Sequence, residues 1–141
     1  MLTAAPPLPW TWLLPPGVVA GPDRPVVIAQ TGRTWDALCT PETLALPVLV
    51  RLHADDRDRM RLGPVLHDAD ARAVYWLLRP GSSADYPDSC RLLLSGTWLP
   101  LPHPQRSARS LAWLHLPDTD TLTPPAWLAA ALTHSALEAA L

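Results

Sequence analysis

His67, Asp68 and Asp70 stand together in "GPVLHDADARAVYWLL", Gly63 to Leu78, directly after a short apolar run. On an extended strand, residues two apart point to the same side, so Asp68 and Asp70 could hold one divalent cation, with His67 beside them. The same residues also suit a tight connection between "PVLH" and "RAVYWLL", because aspartate side chains accept hydrogen bonds from nearby backbone N–H groups. A turn is the expectation. A two-metal centre would also need a third carboxylate and a cationic clamp, and local spacing supplies neither.

Other chemistry is sparse. The five histidines, His53, His67, His103, His115 and His134, share no ligand spacing. No Gly-x-Ser-x-Gly elbow and no glycine-rich phosphate loop occurs. Cys39 and Cys90 are too few for a disulfide scaffold and lack C-x-x-C spacing, so both read as buried thiols. Arg106 and Arg109, beside Ser107 and Ser110 in "PQRSARS", could bind an anion through guanidinium and hydroxyl donors. As a plain connector that loop needs no ligand.

The chain has 141 residues, enough for one modest core, and a net charge of −2 without a run of like charges. Nothing in the net charge supports a nucleic-acid partner. A nucleic-acid-binding regulator would have to gather Arg79, Arg91, Arg106 and Arg109 on one face, with salt-sensitive affinity. All eleven basic residues are arginine, lysine, asparagine and phenylalanine are absent, and isoleucine occurs once, at Ile28. The missing residues have AT-rich codons, so a GC-rich, actinobacterial source is expected. The first twenty residues are apolar but lack a basic leader and are interrupted by prolines, which points away from a signal peptide or membrane span and toward the cytoplasm.

These residues need elements to hold them. Residues 1–24, rich in Pro and Trp, read as an irregular arm whose Trp10 and Trp12 must dock on the domain or on a partner. Residues 25–141 read as a single domain. "PVVIAQ" and "TWDALC" suggest two adjacent strands. Thr40, Pro41 and Glu42 read as N-cap, N1 and N2 of a helix running to about Arg57, kinked or restarted at Pro47, with "HADDRDRMR" as its solvated end and linker. From Gly63 onward, "PVLH", "RAVYWLL", "CRLLL", "TWLPL" and "SLAWLHL" suggest an antiparallel meander, with the proline-bearing "TWLPLPHP" at an edge. Thr123 and Pro124 open a final helix over 124–140, where Trp127 and the leucines leave no clean polar face. The expected class is α/β (α+β), a mostly antiparallel sheet covered by two helices.

The order of segments adds a further reading. "IAQTGRTWDALCTPETL", "GPVLHDADARAVYWLL" and "SGTWLPLPHPQRSARSLAWL" resemble, in sequence, the N-terminal domain of the bifunctional primase-polymerase family, above all its short actinobacterial members. The resemblance covers about residues 25 to 120, and Gly96, Trp98, Pro102 and Trp113 hold the places of its Gly-Gly-Tyr, Ala-Pro-Pro-Ser and aromatic-strand motifs. It implies a two-metal nucleotidyl-transfer scaffold with an early Asp-x-Asp pair, a histidine and a third Asp. Here Cys39 and Pro41 stand at the early pair, with Asp36 the nearest carboxylate. Ala73 stands at the histidine, and the third Asp falls near Cys90 and Arg91, with Asp88 the nearest acid.

The resemblance thus implies a catalytically degenerate member, a binding or assembly module linked to DNA replication or mobile-element maintenance and needing no cofactor. Its partner is expected to be another protein or a second copy, met through Trp10, Trp12, Trp127 and the final helix. The enzyme alternative keeps Mg²⁺ or Mn²⁺ and uses Asp36, Asp68 and Asp70 as relocated ligands. It requires those carboxylates to converge.

Overall fold

The strand "AVYWLL" over Ala73–Leu78 is the axis of the fold. Its β-branched and aromatic residues suit a sheet buried on both faces, and it is nearly all buried. In the computed structural model, which describes residues 10–14, 26–81, 84–93, 95–104 and 110–140, the elements follow in this order. A single 3₁₀ turn (Thr11–Leu13) precedes β1 (Val26–Gln30), β2 (Asp36–Pro41), α1 (Glu42–Ala54), α2 (Asp56–Arg61), β3 (Val65–Asp68) and β4 (Ala73–Leu78). β5 (Arg91–Leu92), β6 (Trp98–Pro102), β7 (Leu111–His115) and α3 (Pro125–Ala139) complete the chain. The class is α+β, as the sequence predicts.

Five strands form one sheet in the order β5-β2-β4-β3-β7, and β1 and β6 form a separate two-stranded ribbon. All paired strands are antiparallel. β1 and β2 are therefore not adjacent, contrary to the sequence expectation. β1 pairs instead with β6, Val26 opposite Pro102 and Gln30 opposite Trp98. The prolines of β6 sit in this narrow ribbon, where a missing donor breaks no interior ladder.

The large sheet has two cores. On one face Leu38, Val65, Val74, Trp76 and Leu78 pack under Ala45, Val48, Leu49 and Leu52 of α1 and Leu128 and Leu132 of α3. On the other, Ala37, Leu66 and Leu77 meet Val27, Ala29, Leu99 and Leu101 of the ribbon, with Trp10, Leu13 and Trp35. Trp35 Nε1 donates to the Leu13 carbonyl at 3.1 Å, fixing residues 10–14 against the domain. Trp10 is wholly buried there, edge-on to His103. Its expected role as a partner contact is corrected: this part of the arm belongs to the domain's own core.

Three boundaries differ from the sequence reading, each for a local reason. Thr40 does not cap α1. Its hydroxyl is buried in β2, donating to the Val74 carbonyl and accepting from Trp76 Nε1, both at 2.9 Å, and Pro41 takes the cap position. Thr123 likewise does not cap α3. Pro124 precedes another proline and must stay extended, so the helix begins at Pro125. The Thr123 hydroxyl accepts from Gly63 N at 2.8 Å, where a Cβ on residue 63 would come within 2.7 Å of the Thr123 nitrogen. The helix expected to reach Arg57 stops at Ala54, because Asp55 Oδ1 accepts from Arg57 N and Asp58 N and caps α2. Pro47 neither stops nor restarts α1 and lies on its exposed side.

Candidate functional site

β2, β4, β3 and β5 place a cleft at one end of the ribbon-side face. Residues directly opposite in a ladder point to the same face. Cys39 lies opposite both Tyr75 and Arg91, Pro41 opposite Ala73, and Ala73 opposite Asp68. The cleft has a volume of about 360 Å³, lined by Cys39, Pro41, Ala73, Arg72, Ser89 and Arg91 among others. The ribbon-side core stops short of these residues.

Cys39, Pro41 and Ala73, separate in the sequence, are the positions at which the resemblance looks for its metal pair and its histidine, and all three line this one cleft. Of Cys90 and Arg91, near which it looks for its third carboxylate, Arg91 lines the cleft and Cys90 packs on the other face of the sheet. Where the resemblance calls for hard oxygen and imidazole ligands, the cleft offers a thiol, a pyrrolidine ring, a methyl group and a guanidinium. None of these can share Mg²⁺ as two carboxylates do.

The aspartates do other work. Asp68 Oδ1 accepts from Ala71 N at 3.2 Å and from Ser110 Oγ at 3.1 Å, tying the β3–β4 turn to the residue before β7. Asp70 is exposed in that turn. His67, one residue before Asp68, points to the opposite face, where its Nε2 meets Glu42 Oε2 at 2.9 Å. Asp36 lies opposite Leu78, and its Oδ2 accepts from Gly81 N at 3.1 Å. Five strand residues, about 17 Å, separate Asp36 from the level of Pro41, Ala73 and Asp68. Asp36, Asp68 and Asp70 are therefore not brought together. Among the described residues no group of three His, Cys, Asp or Glu side chains is placed to hold a metal ion.

Tyr75 stands opposite Cys39 in the ladder, and its phenol is held above the usual 10 first by burial and then by Cys39 and Asp68, with Arg91 pulling the other way. The second thiol, Cys90, is raised by burial, partly offset by a hydrogen bond from Ser89. One residue out of register with Cys39's partner Arg91, Cys90 packs into the helix-side core, so the two cysteines occupy opposite faces and both are free. Beyond the cleft, Tyr86 is pushed up to about 12 by burial, then by Asp36 and Cys90.

The other candidates scatter. Arg79 is exposed beyond the Leu78 end of β4, about 13 Å along the strands from Arg91. Arg106 and Arg109 lie outside the described residues. Trp12 is half-buried against the ribbon-side core, and Trp127 against the helix-side core. Sequence reasoning missed Arg72 and Ser89, which no local motif marks. It also missed an apolar groove of about 340 Å³ lined by Leu13, Leu14, Ala29, Gln30, Arg33 and Trp98, where Trp98 is 60% exposed.

Compared with known proteins, the chain matches no protein-family model, no curated protein and no solved structure. No helix among the described residues is long and apolar enough to cross a membrane.

Proposed function

We propose that this chain is a non-catalytic, primase-polymerase-like binding or assembly module of the cytoplasm, serving DNA replication or mobile-element maintenance. One observation carries the reading. The positions expected to hold the metal pair and the histidine gather in one cleft as Cys39, Pro41 and Ala73. A degenerate site leaves this signature: the strands still converge, and the ligands are gone. The carboxylates nearest by type are engaged as backbone acceptors, Asp68 within its turn and Asp36 at the far end of β2.

The module needs no metal for its activity, and its partner is another protein or a second copy. Trp127, Leu137 and the small residues of α3 remain the proposed contact surface, since Leu137 is 64% exposed. The test is nucleotide incorporation by the purified chain on a primed template with Mg²⁺ or Mn²⁺. No incorporation is expected. Incorporation that disappears in Asp68→Asn would overturn the reading in favour of relocated carboxylates.

A further inference from the structure

The cleft is basic, and among the described residues no carboxylate lines it. Two arginines, Arg72 from the β3–β4 turn and Arg91 from β5, line the same opening of about 360 Å³. Neither belongs to an ion pair among the described residues. The acid facing this end of the sheet, Asp68, already accepts two hydrogen bonds through Oδ1, and Asp70 and Asp88 are exposed and do not line the opening. Two like charges share a cleft in a chain whose net charge is −2.

Arg72 is held where it is by its backbone. It is the one non-glycine residue with positive φ among those described, at +52°, and its carbonyl accepts from Glu42 N at 3.0 Å. That conformation is unfavourable for a side chain with a Cβ and persists where the surroundings enforce it. The bond fixes the turn against the first residue of α1, beside Pro41. Arg91 is fixed by its pairing with Cys39.

We infer that Arg72 and Arg91 bind a phosphate-bearing small ligand in this cleft without a divalent cation. Guanidinium forks match phosphate oxygens in pairs, and two of them balance a doubly charged anion. Ser89 and the protonated phenol of Tyr75 add neutral hydroxyls at the same end of the sheet. A polymer backbone is disfavoured as the occupant because no further basic residue among those described continues the cleft: Arg79 sits at the other end of the sheet. This inference rests on the reading of the cleft as non-catalytic, since a metal pair held there would need anionic ligands instead.

The experiment is titration calorimetry of the full chain with inorganic phosphate and pyrophosphate, in EDTA and at fixed ionic strength. Saturable binding at one site is expected, weakened about tenfold or more by Arg72→Gln and by Arg91→Gln, and less by Arg91→Lys, which keeps the charge and loses the fork. Both side chains are exposed, and unchanged circular dichroism and melting confirm that the variants fold. Absence of binding, a strict need for metal, or affinity unaltered in the Arg72→Gln/Arg91→Gln double variant would overturn the inference. So would tighter binding of a single-stranded oligonucleotide with steep salt dependence, the mark of a polymer site. Metal-dependent nucleotide incorporation, measured separately, reports on the non-catalytic reading alone.

Discussion

The two faces of the five-stranded sheet are built to different degrees of completion. On the helix side, α1 and α3 seal the sheet, and a buried relay of hydrogen bonds runs from Trp76 through Thr40 to Val74. On the ribbon side, β1 and β6 cover Ala37, Leu66 and Leu77 and leave the Cys39, Pro41 and Ala73 end open. The exposed basic groups Arg72 and Arg91 gather at that open end. A sheet needs only one sealed face and part of the other to be stable, and the remainder is available for binding.

That contrast can be broken, and the largest effect comes from its sealed side. Trp76→Ala removes a wholly buried ring and the bond to Thr40, and should cost about 3–5 kcal/mol in urea unfolding. Trp35→Ala, of similar expected cost, acts on the ribbon side and releases the Leu13 carbonyl, so limited proteolysis should cut near residues 10–14 first. Equal protection of that segment in both variants would mean the faces do not differ.

Asp68→Ala comes next. Loss of the bonds to Ala71 N and Ser110 Oγ should cost about 1–2 kcal/mol, and Asp68→Asn, which keeps an acceptor, should cost less than half as much. Arg72→Gly reverses the sign. Relief of the left-handed conformation at Arg72 should raise stability by up to about 1 kcal/mol while removing one guanidinium from the cleft. A stabilised protein with weakened phosphate binding would separate what this residue does for the ligand from what it costs the fold.

The smallest effect is a pH dependence at the edge of the helix side. His115 stands edge-on to His53, with ring centroids 5.3 Å apart. Burial first, and then His53 and Arg59, lower its pKa from the usual 6.5, against opposing effects of Leu62 and Asp118. Because the folded state favours neutral imidazole, the unfolded chain binds more protons below pH 6.5. This contribution is whole above that pH and is lost as the pH falls toward the lowered value. His115→Gln should flatten that part of a melting-temperature profile.

Much of the local structure is legible in the sequence because it depends on local chemistry. The continuous apolar run of "AVYWLL" and the carboxylate of Asp68 in its turn both follow from neighbours within a few residues. Thr40 and Thr123 mislead for the same reason. Each has the right type and place for a helix cap, yet its hydroxyl serves a group 34 or 60 residues away in sequence. The cleft lies between these cases. The order of segments singles out Cys39, Pro41 and Ala73, which the structure brings to one cleft, whereas Arg72 owes its position to a backbone contact with Glu42 that no spacing announces.

The ribbon also has a consequence for synthesis. Gln30 and its partner Trp98 are 68 residues apart, so β1 leaves the ribosome long before β6 exists. The β3–β4 hairpin, closed by a short turn, can form early, whereas ribbon closure carries the slow search of non-local pairing. Through that interval β1 has no β6 to pair with, which leaves an unpaired strand edge of the kind that invites association between nascent chains.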